Sequence, residues 1–388
     1  MRVETVRLLG ERLPMTLVEI VAEDGTVGIG GADAPLSALR PILEYAPWNL
    51  TRLIRGRDPR ECQLIHDELF RATLGQGGLA AHAQAALDMA LWDLNAKLVG
   101  EPLHRLFGKQ IQSRVMPYAS ATAFDLTDGL TFPLRFKSTD RLVSESKSRV
   151  GEGFRAIKFG WGNHFEPQDL ERVAAIRSAI GPDVRLMLDF GGPDYFDPGV
   201  NPESAARITT LLEPYEIFFF EEPLSPYDAD GFSALKQKSQ TRIATGEMLC
   251  REWEFNRLID ARAVDVIQPD AYRIGITPML AVARRAAEAG VLCVPHSPWS
   301  ALAIAAHLQI LATVSNGIMV EYPSPSLYTD TRFHGELIRL ATSELVQTPM
   351  FPRDGYLEVP DRPGLGLGTF RPEIIKEMDA LTERGLER

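Results

Sequence analysis

The sequence predicts an α/β fold in which alternating strands and helices close into a barrel, attached to a smaller α+β unit. Two observations lead to this prediction. From about residue 113, short apolar runs alternate with helical stretches such as 168–180 and 278–289. In addition, polar residues close such runs at intervals of 32, 26, 23 and 26 residues, namely Asp189, Glu221, Glu247, Asp270 and His296. One strand, one helix and two short loops take about that length in a barrel whose eight units comprise ~250 residues.

The smaller α+β unit is predicted to comprise residues 1–112. Residues 1–30 alternate like strands, and Asp24-Gly25 between two of these runs is a hairpin signal. Further on, leucines recur on one face of a helix that Gly100 ends. These leucines are Leu87, Leu91, Leu94 and Leu98. The glycine-rich stretch 74–80 lacks the Gly-Lys-Ser/Thr of a phosphate loop, so it is either a flexible connection or a mobile lid over a site.

The barrel itself is predicted for residues 113–330. Its strands are expected at 115–120, 155–160, 184–189, 217–221, 242–247, 264–268, 291–296 and 318–321. Residues 331–388 interrupt the alternation, and their segment VPDRPGLGLG is typical of an ordered, extended piece. We expect this tail to pack back on the first unit.

The composition excludes several classes of protein. The chain has 388 residues, of which 45% are hydrophobic and 24% charged, as in ordinary globular proteins. A net charge of −11 without a Lys/Arg cluster argues against nucleic acid and anionic membrane partners. The sequence contains neither a signal-peptide pattern nor an apolar run of ~18 residues, so a cytoplasmic location is expected. The three cysteines are widely spaced and predict neither a disulfide framework nor a zinc site.

Three of the strand-end acids predict a metal site. Residues at the carboxyl ends of barrel strands point into one mouth, so Asp189, Glu221 and Glu247 would converge there. Carboxylates without cysteine or histidine among them suit Mg²⁺ rather than zinc. Glu222 is the less favoured ligand because adjacent strand residues point to opposite faces. Buried like charges need a cation, so we expect the three acids to bind Mg²⁺.

Asp270 and His296 predict a pair that transfers protons. An aspartate can accept a hydrogen bond from one imidazole nitrogen and leave the other nitrogen free to take a proton. His164, in GWGNH after the second barrel strand, is either an alternative base or a loop histidine. The remaining histidines, such as His66, His82 and His307, are interpreted as ordinary helix residues.

The order of these motifs resembles the mandelate racemase group of the enolase superfamily nearly from end to end. The resemblance rests on the ALWDLNAKLVGEPLHRLFG helix, the lysine in GFRAIKF, EEP, GE, PDAYRIG, a late histidine, an acid at the eighth strand and the terminal PGLGLG. It implies a (β/α)₇β TIM-type barrel with an N-terminal α+β capping domain that the C-terminal segment completes. It also implies a homo-oligomer, with substrate specificity in cap loops around 12–32 and 74–80.

The resemblance also assigns roles to residues. The acids Asp189, Glu221 and Glu247 match the Mg²⁺ ligands, and Asp270 with His296 matches the dyad that serves as the base, as histidine does in this superfamily. Two further residues belong to the implied site. Lys158 matches the first lysine of a Lys-x-Lys motif, and Glu321 matches an acid that hydrogen-bonds the substrate carboxylate, although a salt bridge is its other interpretation.

Two positions depart from the family pattern. Gly160 stands where the second lysine of Lys-x-Lys would be, and that lysine is the base on the face opposite the histidine. Gly191 stands where the family usually has asparagine, and it cannot supply a polar side-chain contact.

The resemblance implies removal of the proton α to the carboxylate of a small-molecule substrate, giving an enediolate that Mg²⁺ and Lys158 stabilise. We favour dehydration of an acid sugar because only one good base is visible. A racemase or epimerase of a 2-hydroxy acid is the main alternative, and a muconate-type cycloisomerase is less favoured. A diverged barrel without activity stays open as a different class, although stability alone gives no reason to keep His296 beside Asp270.

Overall fold

The computed structural model describes residues 1–45, 47–125, 135–161, 165, 167–191, 200–297, 300–323 and 334–386. Its strands are β1 Val3–Leu9, β2 Thr16–Ala22, β3 Val27–Ala32, β4 Arg114–Thr122, β5 Ala156–Gly160, β6 Arg185–Asp189, β7 Ile217–Glu221, β8 Arg242–Thr245, β9 Val266–Ile267, β10 Leu292–Cys293, β11 Met319–Pro323 and β12 Leu357–Glu358. Its helices are α1 Leu36–Glu44, α2 Leu50–Ile54, α3 Cys62–Ala72, α4 Leu79–Val99, α5 Leu103–Phe107, α6 Thr139–Gly151, α7 Pro167–Ile180, α8 Pro202–Leu212, α9 Ala229–Lys236, α10 Glu252–Asp260, α11 Ala271–Ile274, α12 Ile276–Glu288, α13 Ala301–Leu311, α14 His334–Ser343 and α15 Pro372–Leu386. Among these described helices, none combines the length and the apolar character needed to cross a membrane.

The N-terminal unit is an antiparallel sheet of β1, β2 and β3 against which α4 packs. The predicted hairpin at Asp24-Gly25 is confirmed, with Gly25 at φ +84°. Strand β3 carries Gly28 and Gly30 where α4 crosses it. A Cβ atom at either glycine would lie 2.3 Å from a backbone oxygen of α4, so the close approach requires glycine at both positions.

Helix α4 is buried on more than the predicted leucine face. Leu87, Leu91 and Leu94 pack into the core beneath the cap sheet, as the leucine spacing predicts. Met89 and Ala96 belong instead to the core shared with the barrel. The helix is therefore buried between two layers, and Gly100, with φ +79°, ends it as expected.

Strands β4 to β11 form the predicted parallel barrel. Neighbouring strands pair in chain order from β4 to β10, and β11 pairs with β4. The remaining gap is bridged where Cys293 pairs with Gly317 and the N–H of Cys293 donates to the Asn316 carbonyl at 3.0 Å. The (β/α)₇β architecture with a separate N-terminal cap is confirmed.

The fifth, sixth and seventh barrel strands are shorter than predicted. Glu247, Asp270 and His296 follow their strands rather than ending them. One reason is Gly246, whose φ of +133° turns the chain before Glu247. Another is Asp270, whose carboxylate accepts the N–H of Tyr272 at 2.8 Å and so caps α11.

One layer of side chains fills the barrel below its mouth, with one residue from each of seven strands and one from the position directly after β10. The layer consists of Tyr118, Ala156, Met187, Phe219, Ala244, Val266, Val294 and Met319. Because side chains alternate along a strand, the residue two positions later on each strand also points inward, one layer closer to the mouth. This register places the candidate site.

The C-terminal tail contacts both units. Strand β12 pairs antiparallel with the start of β4. On the cap side, the Asp93 carboxylate of α4 accepts the N–H of Ile29 at 2.8 Å and the N–H of Leu365 at 2.7 Å. The tail therefore contacts the first unit at Leu365, and the packing of the whole segment 331–388 on that unit stays a prediction. The domain boundaries at 112 and 330 remain predictions, and residue 330 lies outside the described residues.

Candidate active site

The layer above the barrel core contains the polar residues that the sequence analysis singled out. Counting two residues on from the core layer gives Ser120, Lys158, Asp189, Glu221, Gly246, Gln268, His296 and Glu321. Glu247 takes the place of a side chain on the fifth strand, where Gly246 offers none. Strand register therefore brings the predicted residues into one mouth, apart from Asp270, which joins them from the loop after β9.

Asp189, Glu221 and Glu247 form a compact carboxylate cluster. One oxygen from each lies within 4.8 Å of the others. Burial raises the pKa of Asp189, and it raises that of Glu221 well above its ordinary value, since the charged form loses water and faces like charges. Three hard oxygen donors that repel one another fit a divalent cation such as Mg²⁺. Glu222 lies outside the cluster and accepts a hydrogen bond from Thr245 Oγ1 at 3.0 Å, as its strand parity predicts.

Lys158 is a cation enclosed by acids. Its Nζ lies 2.9 Å from Glu221 Oε2 and 3.3 Å from both Asp189 Oδ2 and Glu321 Oε1. Burial alone would lower the pKa of Lys158, but attraction to Glu221 and Glu321 holds it well above its ordinary value. Lys158 is therefore a fixed positive charge and a poor base.

His296 and Asp270 form the predicted dyad. Nδ1 of His296 lies 3.0 Å from Asp270 Oδ2, and its Nε2 lies 3.3 Å from Glu247 Oε2. Burial by itself would lower the pKa of His296, but Glu247 and Asp270 raise it to about 10. Burial would also raise the pKa of Asp270, but the hydrogen bond with His296 holds it below its ordinary range. The aspartate is thus ionised and orients the imidazole.

Both carboxylate oxygens of Glu321 contact neighbouring groups of the site. One oxygen faces Lys158, and the other accepts the backbone N–H of Ser297 at 2.8 Å. Burial would raise the pKa of Glu321, but Lys158 and His296 lower it to about 2. The salt-bridge interpretation describes this geometry, while the hydrogen bond to a substrate carboxylate stays a prediction.

The two glycine departures have different consequences. The N–H of Gly191 donates to Asp189 Oδ1 at 2.9 Å, so this position supports the carboxylate through its backbone. At Gly160, a Cβ atom would come no closer than 3.6 Å to Ala121 O, so a Cβ atom fits there without a close contact. His164, the alternative base, lies outside the described residues.

The structure adds residues that the sequence analysis missed. Nε2 of His307, on α13, accepts the N–H of Ala271 at 3.0 Å and lies 3.6 Å from Asp270 Oδ1. His307 is a helix residue as predicted, but it also supports the dyad from beneath. Gln268 is fully buried in the site layer, and its side-chain amide has no hydrogen-bond partner among the described residues. The period of two from Val266 signals Gln268, whereas no local pattern signals His307.

The stretch 74–80 is attached to the barrel. The guanidinium of Arg251, which follows β8, donates to the Gln76 carbonyl and to the Gln84 side chain, and it lies over the Phe70 ring at 5.2 Å. These contacts fasten the stretch in the present conformation. Both interpretations of the stretch, connection and lid, stay predictions.

Comparison with known proteins places this site in a family. Residues 7–108 match the mandelate racemase / muconate lactonizing enzyme N-terminal domain, and residues 141–371 match the enolase C-terminal domain-like family. D-galactarolactone cycloisomerase of Agrobacterium fabrum is 30% identical over 98% of this chain and 93% of its own length. L-talarate/galactarate dehydratase of Salmonella typhimurium is 31% identical over 92% of this chain and 82% of its own.

A solved structure agrees with these matches. L-talarate dehydratase from Polaromonas sp. JS666, complexed with Mg and L-glucarate, has a TM-score of 0.78 at 29% identity, with 96% of each chain covered. Both halves of the chain, the cap and the barrel, therefore match the same group of enzymes, and the chain belongs to the mandelate racemase / muconate lactonizing enzyme family of the enolase superfamily.

Proposed function

We propose that this enzyme is an acid-sugar dehydratase, which removes the proton α to a carboxylate and eliminates the β-hydroxyl group as water. The observation that carries the proposal is the arrangement of bases. His296 is held by Asp270 on one side of the mouth, and Gly160 on the second strand leaves the other side without a basic side chain at that position. One base suffices for elimination, whereas racemisation needs two.

His296 takes the α-proton in this mechanism. Its Nδ1–H donates to Asp270, which fixes the tautomer and leaves Nε2 free to accept a proton. Glu247 is the largest of the attractions that raise the pKa of His296. A cation held by Glu247 would offset that attraction and favour the neutral imidazole, which can accept a proton.

Lys158 supplies positive charge where the substrate becomes more negative. Loss of the α-proton moves negative charge onto the carboxylate oxygens of the resulting enediolate. A buried ammonium group that stays charged stabilises this charge strongly, because no solvent reorganisation is needed. Asp189, Glu221 and Glu247 would hold Mg²⁺, which supplies further positive charge to the substrate carboxylate when bound.

Elimination completes the reaction. The electron pair of the enediolate forms the Cα–Cβ double bond, and the β-carbon–oxygen bond breaks. The departing hydroxide takes the proton that His296 removed from the α-carbon, so one water leaves. The enol that remains tautomerises to a 2-keto acid.

An isomerase is the second candidate, because one of the relatives is named as a cycloisomerase. The same first step would serve it: His296 removes the α-proton, and the leaving oxygen belongs to the substrate's own ring rather than to a free hydroxyl group. The two reactions give products of different mass. A dehydratase product is lighter than its substrate by one water, whereas an isomerase product has the mass of its substrate.

The test is a panel of mono- and diacid sugars incubated with enzyme and Mg²⁺, with the products identified by mass spectrometry. We expect a keto acid lighter than its substrate by one water, and no turnover after thorough chelation. Glu247→Gln should lose both Mg²⁺ binding and turnover. Glu222, the acid next to Glu221, lies outside the carboxylate cluster, so Glu222→Gln should retain Mg²⁺ binding. Full activity in a chelated sample would contradict the proposal, and products of unchanged mass would favour the isomerase.

The expectations of a homo-oligomer, a cytoplasmic location and a small-molecule carboxylate as the partner belong to the same proposal. The family membership supports the last of these through relatives that carry acid sugars in their names.

A further inference from the structure

The single-turn helix α11 lies between the cap and the candidate site. It begins directly after Asp270, whose carboxylate both caps the helix and holds His296. It ends at Gly275, where a Cβ atom would lie 2.8 Å from Asp88 of the cap helix α4. The same short turn therefore contacts the catalytic dyad at one end and the cap at the other.

Arg273 on this turn connects the cap to a second part of the site. Its Nε and Nη2 donate to Asp33 Oδ2 at 3.2 and 3.0 Å, and Asp33 directly follows cap strand β3. Its Nη1 donates to the backbone carbonyl of Glu247 at 2.9 Å. The side chains of Arg273 and Asp33 are 14% and 17% exposed, so the pair is largely shielded from water.

The cap holds this turn by backbone contacts as well. The N–H of Asp33 donates to the Tyr272 carbonyl at 3.4 Å, and a Cβ atom at Gly31 would lie 3.1 Å from the Tyr272 ring. Glu247 directly follows Gly246, whose φ of +133° only glycine adopts readily, so its backbone stands at a sharp turn of the chain. A donor to the Glu247 carbonyl is therefore well placed to decide where that carboxylate lies.

We infer that Arg273 is a positioning residue, and that its ion pair with Asp33 makes the geometry of Glu247 and of the dyad depend on how the cap is docked. Neither Asp33 nor Arg273 belongs to the carboxylate cluster or the dyad. They act through the Glu247 backbone and through the turn that begins at Asp270. The inference deepens the proposed function and rests on it, because it takes Glu247 as a metal ligand and Asp270 as the partner of the base.

The experiment measures Mg²⁺ affinity by calorimetry without substrate, together with kcat, KM and the melting temperature. Residues that support metal ligands typically change metal affinity by about 10–100-fold when they are mutated. We expect Asp33→Asn and Arg273→Gln each to weaken Mg²⁺ binding by roughly 10-fold, and to lower kcat more than they change KM. The double variant should lose little more than either single variant, because the two residues act as one pair.

Arg284→Gln is the matched control. Arg284 on α12 donates to the Phe107 carbonyl of α5 at 2.6 Å, so it also joins barrel to N-terminal unit through a guanidinium, but away from α11. This variant should lower the melting temperature while leaving the Mg²⁺ affinity within about two-fold of wild type. If Asp33→Asn behaves in the same way as Arg284→Gln, the pair only adds stability and the inference is overturned.

Failure of the proposed function is distinguishable from failure of the inference. If wild-type protein binds no Mg²⁺, the proposed metal site is wrong, and hydrogen exchange of the α11 amides then decides the role of Arg273. The inference expects faster exchange at Tyr272 to Ile274 in Asp33→Asn than in Arg284→Gln. Equal protection in the two variants would overturn it.

Discussion

At the scale of single residues, the candidate site is a set of charges in which each group sets the state of its neighbour. Lys158 stays charged because three carboxylates surround it, and this removes it from the list of bases. Asp270 stays ionised because an imidazole donates to it. His296 is the imidazole whose second nitrogen faces the carboxylate cluster, and it is the residue that we propose as the base.

The first prediction concerns His296. His296→Asn should abolish exchange of the substrate α-proton into D₂O, because asparagine cannot accept the proton. The loss should be at least on the order of 10²–10⁴-fold, the usual contribution of a positioned acid or base. Mg²⁺ binding should persist, since His296 is not among the clustered carboxylates. Exchange is read by NMR on the recovered substrate.

His307→Asn is an informative companion variant, because this histidine contacts Ala271 beneath the dyad without facing the metal cluster. We expect it to slow exchange only partly, through a less well oriented Asp270. Unchanged exchange in His296→Asn would place the base elsewhere, with His164 the first candidate.

At the scale of elements, strand periodicity predicted most of the site, and contacts between distant residues account for what it missed. An inward position repeats every two residues, so the apolar runs located Asp189 and Glu221 on their strands, while Lys158 and Glu321 came from the family resemblance. The same pattern predicted the fifth, sixth and seventh strands to be longer than they are. The turn at Gly246 and the helix capping by Asp270 depend on single residues, which a periodic pattern does not reveal. Arg273 and its partner Asp33 are 240 residues apart, and no local pattern links such a pair.

Helix α4 joins the cap sheet to the C-terminal tail through Asp93. Asp93 on α4 accepts hydrogen bonds from β3 and from the tail, and it forms an ion pair with Lys97 at 2.6 Å. Asp93→Ala would leave two buried N–H groups and a largely buried ammonium without their carboxylate. We expect the free energy of unfolding to fall by about 3–5 kcal/mol, as when one partner of a buried pair is removed.

Asp361→Ala is the control for this prediction, because Asp361 forms an exposed ion pair with Arg105 from the same tail. Exposed pairs contribute about 0–1 kcal/mol, so this variant should unfold nearly as wild type does. Chemical denaturation measures both. Equal stability of the two variants would show that Asp93 does not join the tail to the cap.

At the scale of the whole molecule, the closed barrel determines which faces of a substrate meet a base. His296 lies in the mouth shortly after the seventh strand, and the second strand carries Lys158 and then Gly160 on the same inward side. In a ring of eight strands, the second and the seventh are separated by two on one side and four on the other. A substrate between them therefore presents different faces of its α-carbon to the two strands.

The last prediction follows from this arrangement. Wild-type enzyme in D₂O should convert one epimer of a substrate to keto acid and return the other unlabelled, because the second-strand side offers the charged Lys158 and a glycine. Gly160→Lys should add slow α-proton exchange in the second epimer, since a Cβ atom fits at that position and φ there is not in the left-handed region. Gly160→Met, of similar length but without a basic group, should add none.

Comparable exchange of both epimers by the wild type would reveal a second base, and a racemase would then replace the dehydratase as the best account of this site.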